Sequence, residues 1–273
     1  MTDKLFDISG KVAVVTGGGG ILCSEMSYAM AERGVKVAVL DLRLDAAEAV
    51  AAGIREKGGE ARGYSANVLD RASVEKAKDE IIRDFGTVDI LINGAGGNKP
   101  DATTSAKMSF FDMPPEAISW VFSLNMLGTI IPSQVFAKIM VDKGKGSIVN
   151  MSSMSAFKPL TNTLAYSTAK AGVSNFTAWL AVHLNQNYSK GVRVNALAPG
   201  FFLTNQNYYL LVDEKTGEAT ARGNRILDHT PMGRYGAPSD LIGTLIWLIS
   251  DASEFVNGAV VPVDGAFNAY CGV

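Results

Sequence analysis

A short β-branched run, Lys11-Val12-Ala13-Val14-Val15, leads directly into Thr16-Gly17-Gly18-Gly19-Gly20, and Ile21 to Arg33 follows with apolar residues at helical spacing. Such a run closed by glycines is a buried strand entering a tight turn. Gly34 stops the helix, and Val35 to Leu40 supplies a second buried strand with Asp41 at its carboxyl end. The alternation continues. Ala46 to Lys57 and Ser73 to Phe85 read as helices, Ala61 to Val68 contains a strand, and Val88 to Ile92 is another that opens into Asn93-Gly94-Ala95-Gly96-Gly97. Farther on, Ala117 to Val141 reads as a long helix, and Gly146 to Met151, Val192 to Ala196 and Ala259 to Val263 as strands. Strands alternating with helices through short connections predict an α/β fold, a doubly wound parallel sheet of Rossmann-like form with helices on both faces. A length of 273 residues suits one large core, so the expectation is a single domain over residues 1–273.

Ligands of such sheets lie beyond the carboxyl ends of the strands, where both glycine turns belong. Each part of the first strand–helix–strand unit has a task if a dinucleotide binds there. Gly17, Gly19 and Gly20 let the backbone approach a pyrophosphate, the helix start around Leu22 offers free N–H groups and a positive dipole end, and Asp41 accepts hydrogen bonds from a ribose. A carboxylate there repels a 2′-phosphate and Leu42 supplies no cation against it, which favours NAD over NADP; Arg43 is the residue that keeps NADP open.

A second pattern lies in Tyr166-Ser167-Thr168-Ala169-Lys170, where tyrosine and lysine share one helical face about a turn apart. A phenol has a pKa near 10, and a neighbouring cation lowers it toward a group able to exchange a proton with a carbonyl or alcohol oxygen. The spacing alone also occurs on ordinary surface helices. Ser152-Ser153, ending the strand at Met151, places Ser153 on the same edge of the sheet. The stretch Asn98 to Pro115 fits no regular element and reads as a substrate loop over about 97–115, with Asn98 and Lys99 as candidate substrate contacts. Residues 204–231, polar and helical near Ala219 to Leu227, read as a lid.

Composition removes several alternatives. Hydrophobic residues at 47% and charged residues at 19% describe a folded globular chain, and a net charge of -2 gives no sign of a nucleic-acid partner. No apolar run reaches membrane-spanning length and Met1 to Gly10 lacks a secretory pattern, so a cytoplasmic location is expected. Cys23 and Cys271 form neither a disulfide framework nor a metal site; both read as free thiols, Cys23 packed.

Taken in order, TGGGG at Thr16, NGAG at Asn93, Asn125, the serine pair, YSTAK and PGFFLT at Pro199 resemble the short-chain dehydrogenase/reductase family from Lys11 through Gly265. The resemblance implies a catalytic tetrad of Asn125, Ser153, Tyr166 and Lys170 with an NAD(P) cofactor. It implies that Ser153 holds the reacting oxygen, Tyr166 moves its proton, Lys170 lowers the phenol pKa and binds the nicotinamide ribose, and Asn125 holds a water linking that lysine to solvent. Pro199, Thr204, Asn93, Ala95, Asn67 and Val68 become further cofactor contacts, Thr204 near the carboxamide and Asn67-Val68 near the adenine. It also implies a homotetramer built on the helices of Asn125 and Tyr166, with Ile130, Ile131, Phe176 and Trp179 on their outer faces.

Three departures from the family pattern involve four positions. Ile21 and Cys23 stand at the later glycines of the usual TGxxxGxG, Gly94 at the second asparagine of NNAG, and Asn67 at a common aspartate. Cys23 is expected to displace the first helix or reroute the turn. TGGGGILC, INGAGGNKP, APGFFLTNQN, HTPMGRYG and VDGAFNAYCGV resemble members that interconvert D-mannonate and D-fructuronate, which implies a sugar-acid substrate. Its carboxylate needs a cation and its hydroxyls need amide or hydroxyl partners, for which Asn98, Lys99, Lys158, Asn162, Asn205, Arg225 and His229 are placed. Another polyol or sugar-acid dehydrogenase, a 3-ketoacyl reductase and a non-catalytic cofactor-binding regulator are the alternatives.

Overall fold

The strand Val12–Thr16 is buried at every position, because parallel neighbours flank it on both edges and helices cover both its faces. In the computed structural model, residues 4–204, 208–213 and 215–272 are described. Their strands are β1 (Val12–Thr16), β2 (Lys36–Asp41), β3 (Ala61–Ser65), β4 (Ile90–Asn93), β5 (Gly146–Met151), β6 (Val192–Pro199) and β7 (Val260–Val263). They form one parallel sheet in the order β3-β2-β1-β4-β5-β6-β7. The helices are α1 (Ile21–Ala31), α2 (Leu44–Glu56), α3 (Arg71–Phe85), α4 (Pro115–Phe122), α5 (Gly128–Lys143), α6 (Leu164–Asn187), α7 (Tyr208–Leu211), α8 (Ala221–Asp228) and α9 (Ile242–Ile249).

Successive side chains of a strand point to opposite faces, and the core divides accordingly. Ala13 and Val15 join Met26 and Met30 of α1, Ile54 of α2 and Leu245 of α9 on one face. Val14 faces the other way, with Ile81 of α3, Phe136 and Met140 of α5 and Leu184 of α6. Burial on both faces is why the strands read as unbroken apolar runs, each fully buried aliphatic side chain contributing roughly 1.5–3 kcal/mol. The order of strands reverses between β1 and β4, which opens a crevice beyond their carboxyl ends.

Three elements differ from the sequence reading. β6 runs on past Ala196 to Pro199, because Ala196 through Pro199 pair with Val260 through Val263, a partner more than sixty positions away that no local pattern reveals. The long helix is continuous but carries a wide turn at Ser123–Leu127 between α4 and α5. Counted through that turn, Pro115–Lys143 is long and apolar enough to cross a membrane, contrary to expectation. Half of its most apolar window is buried inside the domain, where α5 supplies Phe136 and Met140 to the core, so the apolar character belongs to packing. The stretch after β4 also has more order than its sequence suggests: it makes turns at Pro100–Ala102 and Phe110–Asp112, buries Ala102 against α4 and α6, and bonds Thr104 N to Asn162 O at 2.9 Å. Between β6 and α9, α7 and α8 share a small apolar cluster of Leu211, Val212 and Ile226 against Phe201, Leu203 and Tyr235.

Candidate active site

The turn after β1 is folded against the turn after β4. Gly17 takes a left-handed conformation (φ 63°), and a Cβ there would stand 2.9 Å from the Ala95 backbone, so only glycine permits the approach. Thr16 Oγ1 locks the two turns together by accepting from Gly94 N at 3.1 Å and Ala95 N at 3.2 Å. Cys23 is buried above Gly94, and any side chain at position 94 would run into its sulfur. The larger residue at 23 occupies room left by the smaller residue at 94, and α1 begins at Ile21 directly behind the glycines. Burial pushes the Cys23 thiol up to about 12, keeping it neutral. At the end of β2, Asp41 accepts from Gly19 N and from Arg43 N, each at 3.1 Å. The Arg43 guanidinium turns to Asp45, with Nε 3.8 Å from its carboxylate.

These turns border a cleft of about 510 Å³ that extends across the crevice to the ends of β5 and β6. Gly17, Gly20, Leu22, Asp41, Ala95, Ser153, Tyr166, Lys170, Pro199 and Thr204 line it. Gly19, Asn67, Val68, Asn93, Asn98, Lys99 and Asn125 are not among the lining residues, and each is engaged elsewhere. Gly19 N is held by Asp41. Asn67 Oδ1 accepts from Leu69 N in a turn after β3, while Val68 is buried beside Gly128. The Asn93 amide donates to Ser133 Oγ at 2.9 Å and Asn150 Oδ1 at 2.8 Å, joining β4, β5 and α5. Asn98 bonds to Thr103, and the Lys99 ammonium stands 5.2 Å above the Trp120 ring. Met151, Gly200, Phe201 and Phe202 line the cleft without having been singled out. The signal for the last two was a pair of aromatics directly after Pro-Gly at a strand's carboxyl end.

Tyr166 and Lys170 lie on the first turns of α6, which packs along β6 and presents its start to the cleft. Lys170 is buried and donates to Met151 O at 2.6 Å, with its ammonium 5.6 Å from the centre of the Tyr166 ring. Desolvation lowers the Lys170 pKa from an ordinary 10.5 to about 8. The phenol of Tyr166 departs from expectation. Burial raises its pKa, a hydrogen bond with Ser153 works in the opposite direction, and the lysine does not depress it, because the ammonium sits against a carbonyl instead of at the phenol oxygen. Ser153 is buried at the start of the turn Met154–Ala156, its hydroxyl accepting from Ser155 N at 3.2 Å, whereas Ser152 is occupied by Ser174 at 2.7 Å and Lys170 O.

Asn125 sits in the wide turn between α4 and α5. Its amide donates to Val121 O at 2.8 Å, one turn back in its own helix, and to Gly97 O at 2.7 Å, which ties the wide turn to the segment after β4. A Cβ at Gly96 would lie 2.7 Å from Asn125 Oδ1 and 3.3 Å from Lys170 Nζ, so the amide and the ammonium face each other across that residue.

Lys158, Asn162, Arg225 and His229 are also absent from the lining: Lys158 donates to Tyr270 O at 2.7 Å, His229 Nδ1 lies 2.9 Å from Arg225 O, Arg225 Nε folds back on Ala221 O, and Asn162 O receives Thr104. Asn205 lies outside the described residues. Among the described residues no group of His, Cys, Asp and Glu side chains is arranged to hold a metal ion.

A cleft able to hold a dinucleotide at one end and move a proton at the other is the equipment of an oxidoreductase acting on a CH–OH group. The family model described as short chain dehydrogenase matches residues 11–214. An uncharacterized oxidoreductase, UxuB, of Bacillus subtilis (strain 168) is 49% identical over 98% of both chains. A crystal structure of a candidate D-mannonate oxidoreductase from Haemophilus influenza with bound NAD superposes with a TM-score of 0.92 at 47% identity, covering 98% of each chain. The 2-dehydro-3-deoxy-D-gluconate 5-dehydrogenase of Escherichia coli (strain K12) is 32% identical over 97% of this chain and 98% of its own. The chain belongs to the short chain dehydrogenase family.

Proposed function

We propose that the protein is an NAD-dependent oxidoreductase of sugar acids that interconverts D-mannonate and D-fructuronate. The observation that carries the chemistry is the grouping of Ser153, Tyr166 and Lys170 on the wall of a cleft that Asp41 also lines. The residues fit the cofactor: Gly17 and Gly20 bring bare backbone to the cleft, the first turn of α1 points there with unsatisfied N–H groups, and Asp41 stands where a ribose would be read. Arg43 is turned to Asp45, which leaves the carboxylate of Asp41 to repel a 2′-phosphate. Bound there, NAD supplies or accepts the hydride.

The chain's own part is proton movement and placement. Ser153 Oγ donates to the substrate oxygen and fixes its position, and Tyr166 gives its phenolic proton to that oxygen during reduction and takes it back during oxidation. Because burial favours the protonated phenol, the site is ready for reduction at neutral pH, while oxidation gains as pH rises. Lys170 orients the cofactor ribose with the ammonium protons not used by Met151 O, and Asn125, facing it across Gly96, completes the path by which protons reach solvent. The substrate class is supported by the NAD-bound neighbour and by the sugar-acid relative. Exposed Trp120, Leu127, Trp179 and Val182 on α4 to α6 and the turn between them support assembly as a homotetramer, which light scattering tests.

Purified protein with NADH should reduce fructuronate, and with NAD should oxidise mannonate faster than with NADP. Absence of turnover on any sugar acid together with brisk turnover of 3-ketoacyl thioesters would overturn this reading.

A further inference from the structure

Resting on the sugar-acid reading above, we propose that Lys158 is the carboxylate anchor and thereby the residue that makes the enzyme choose acids over neutral alcohols. Lys158 follows the turn Met154–Ala156 that Ser153 begins, and its backbone N closes that turn on Met154 O at 3.2 Å. Its ammonium reaches the C-terminal segment, donating to Tyr270 O. From there a chain of rings returns to the cleft. Tyr270 meets His229 edge-on with centroids 6.0 Å apart, His229 is 6.3 Å from Phe267, and Phe267 meets Phe201 edge-on at 5.2 Å. Phe201 lines the cleft with Ser153 and Tyr166. These contacts form a belt running from Phe201 on the cleft wall, through the tail, to Lys158, which stands five residues after Ser153 in the chain.

Lys158 is the cation whose ammonium is bonded into this belt, whereas Arg225 turns back along its own helix onto Ala221 O. Lys158 contacts a neutral carbonyl, which uses one ammonium proton and leaves two, and no carboxylate among the described residues lies within 4.0 Å of it. Arg234 is committed to Asp240 through two hydrogen bonds of 2.6 and 3.0 Å. Lys99 leans on Trp120 instead of on the belt. An ammonium with unneutralised charge on an aromatic belt one turn from the serine suits a carboxylate at the end of a polyhydroxy chain whose reacting carbon lies at Ser153 and Tyr166.

The test compares kcat and KM for a sugar acid and for the neutral polyol of the same chain length in the wild type, Lys158→Ala and Lys158→Arg. The acid-to-neutral ratio of kcat/KM should fall about ten- to hundredfold in Lys158→Ala, through KM, the size of a lost hydrogen bond to a charged group, and should recover in large part in Lys158→Arg. Equal losses on both substrates, or an unchanged ratio, would overturn the anchor. A wild type that itself prefers the neutral polyol would overturn the sugar-acid reading along with it. A wild type that prefers the acid, with Lys158→Ala keeping that preference, would remove the anchor alone.

Discussion

At the end of the cleft formed by β1, β2 and β4, polar groups answer to one another: Thr16 holds Gly94 and Ala95, Asp41 holds Gly19, and Asn93 holds Asn150 and Ser133. At the opposite rim, aromatic rings and long cations come from the segment after Ser153, the segment after β6, the end of α8 and the C-terminal tail, and they meet through side chains. The first end is fixed by sheet register, so what it offers a ligand is mostly backbone and does not depend on which side chains the loops carry. The second is assembled from segments far apart in sequence and presents side-chain chemistry that loop substitution can change without touching the sheet. One end is suited to a constant cofactor and the other to a particular substrate.

The largest effect should come from the group between the two ends. Tyr166→Phe should lower kcat at least about a hundredfold in both directions while leaving NADH binding, followed by fluorescence, within a factor of a few. Equal damage to binding would show that the two ends are not separable. Gly94→Asn drives a side chain into Cys23 and should destabilise the protein by about 1–3 kcal/mol in denaturant unfolding. Adding Cys23→Gly should return part of that loss, a coupling that a double-mutant cycle measures, whereas strict additivity would dissolve the pairing. Asp41→Ser should raise the NADP-to-NAD ratio of kcat/KM about tenfold, as expected for removing one charge repulsion near a surface. The smallest effect is a slope. Lys170 titrates near 8 when folded instead of 10.5, so the stability it allows is full above 10.5 and is lost as pH falls toward 8. Lys170→Met should therefore stabilise the cofactor-free protein most below about pH 8, and its advantage should shrink by at most about 1.4 kcal/mol per pH unit as pH rises from 8 to 10.5.

Legibility in the sequence followed the same division. Strands buried on both faces, glycine turns and the Tyr166–Lys170 spacing are local patterns, and the sheet order, the crevice and the grouping of Ser153, Tyr166 and Lys170 around one cleft agree with them. What the sequence did not show depends on distant pairing. The extension of β6 needs β7, the anchoring of the loop after β4 needs Asn162, and the direction of the Tyr166 shift needs to know that Lys170 is itself buried against Met151. Asn93 carries a family signature yet spends its amide on Asn150 and Ser133, a use invisible without the neighbouring strand and helix. The rim belt joins residues 158, 201, 229, 267 and 270, and no spacing rule connects them.

Scored one position at a time, Cys23 and Gly94 count as two blemishes, an intruder where the turn wants nothing and a gap where the neighbouring loop wants an amide. In three dimensions they are one fitted joint, and a transplant of either loop into a relative lacking the other half would bring a clash or a hole with it. Chimeras of this dehydrogenase should therefore exchange residues 16–23 and 93–97 as a single cassette.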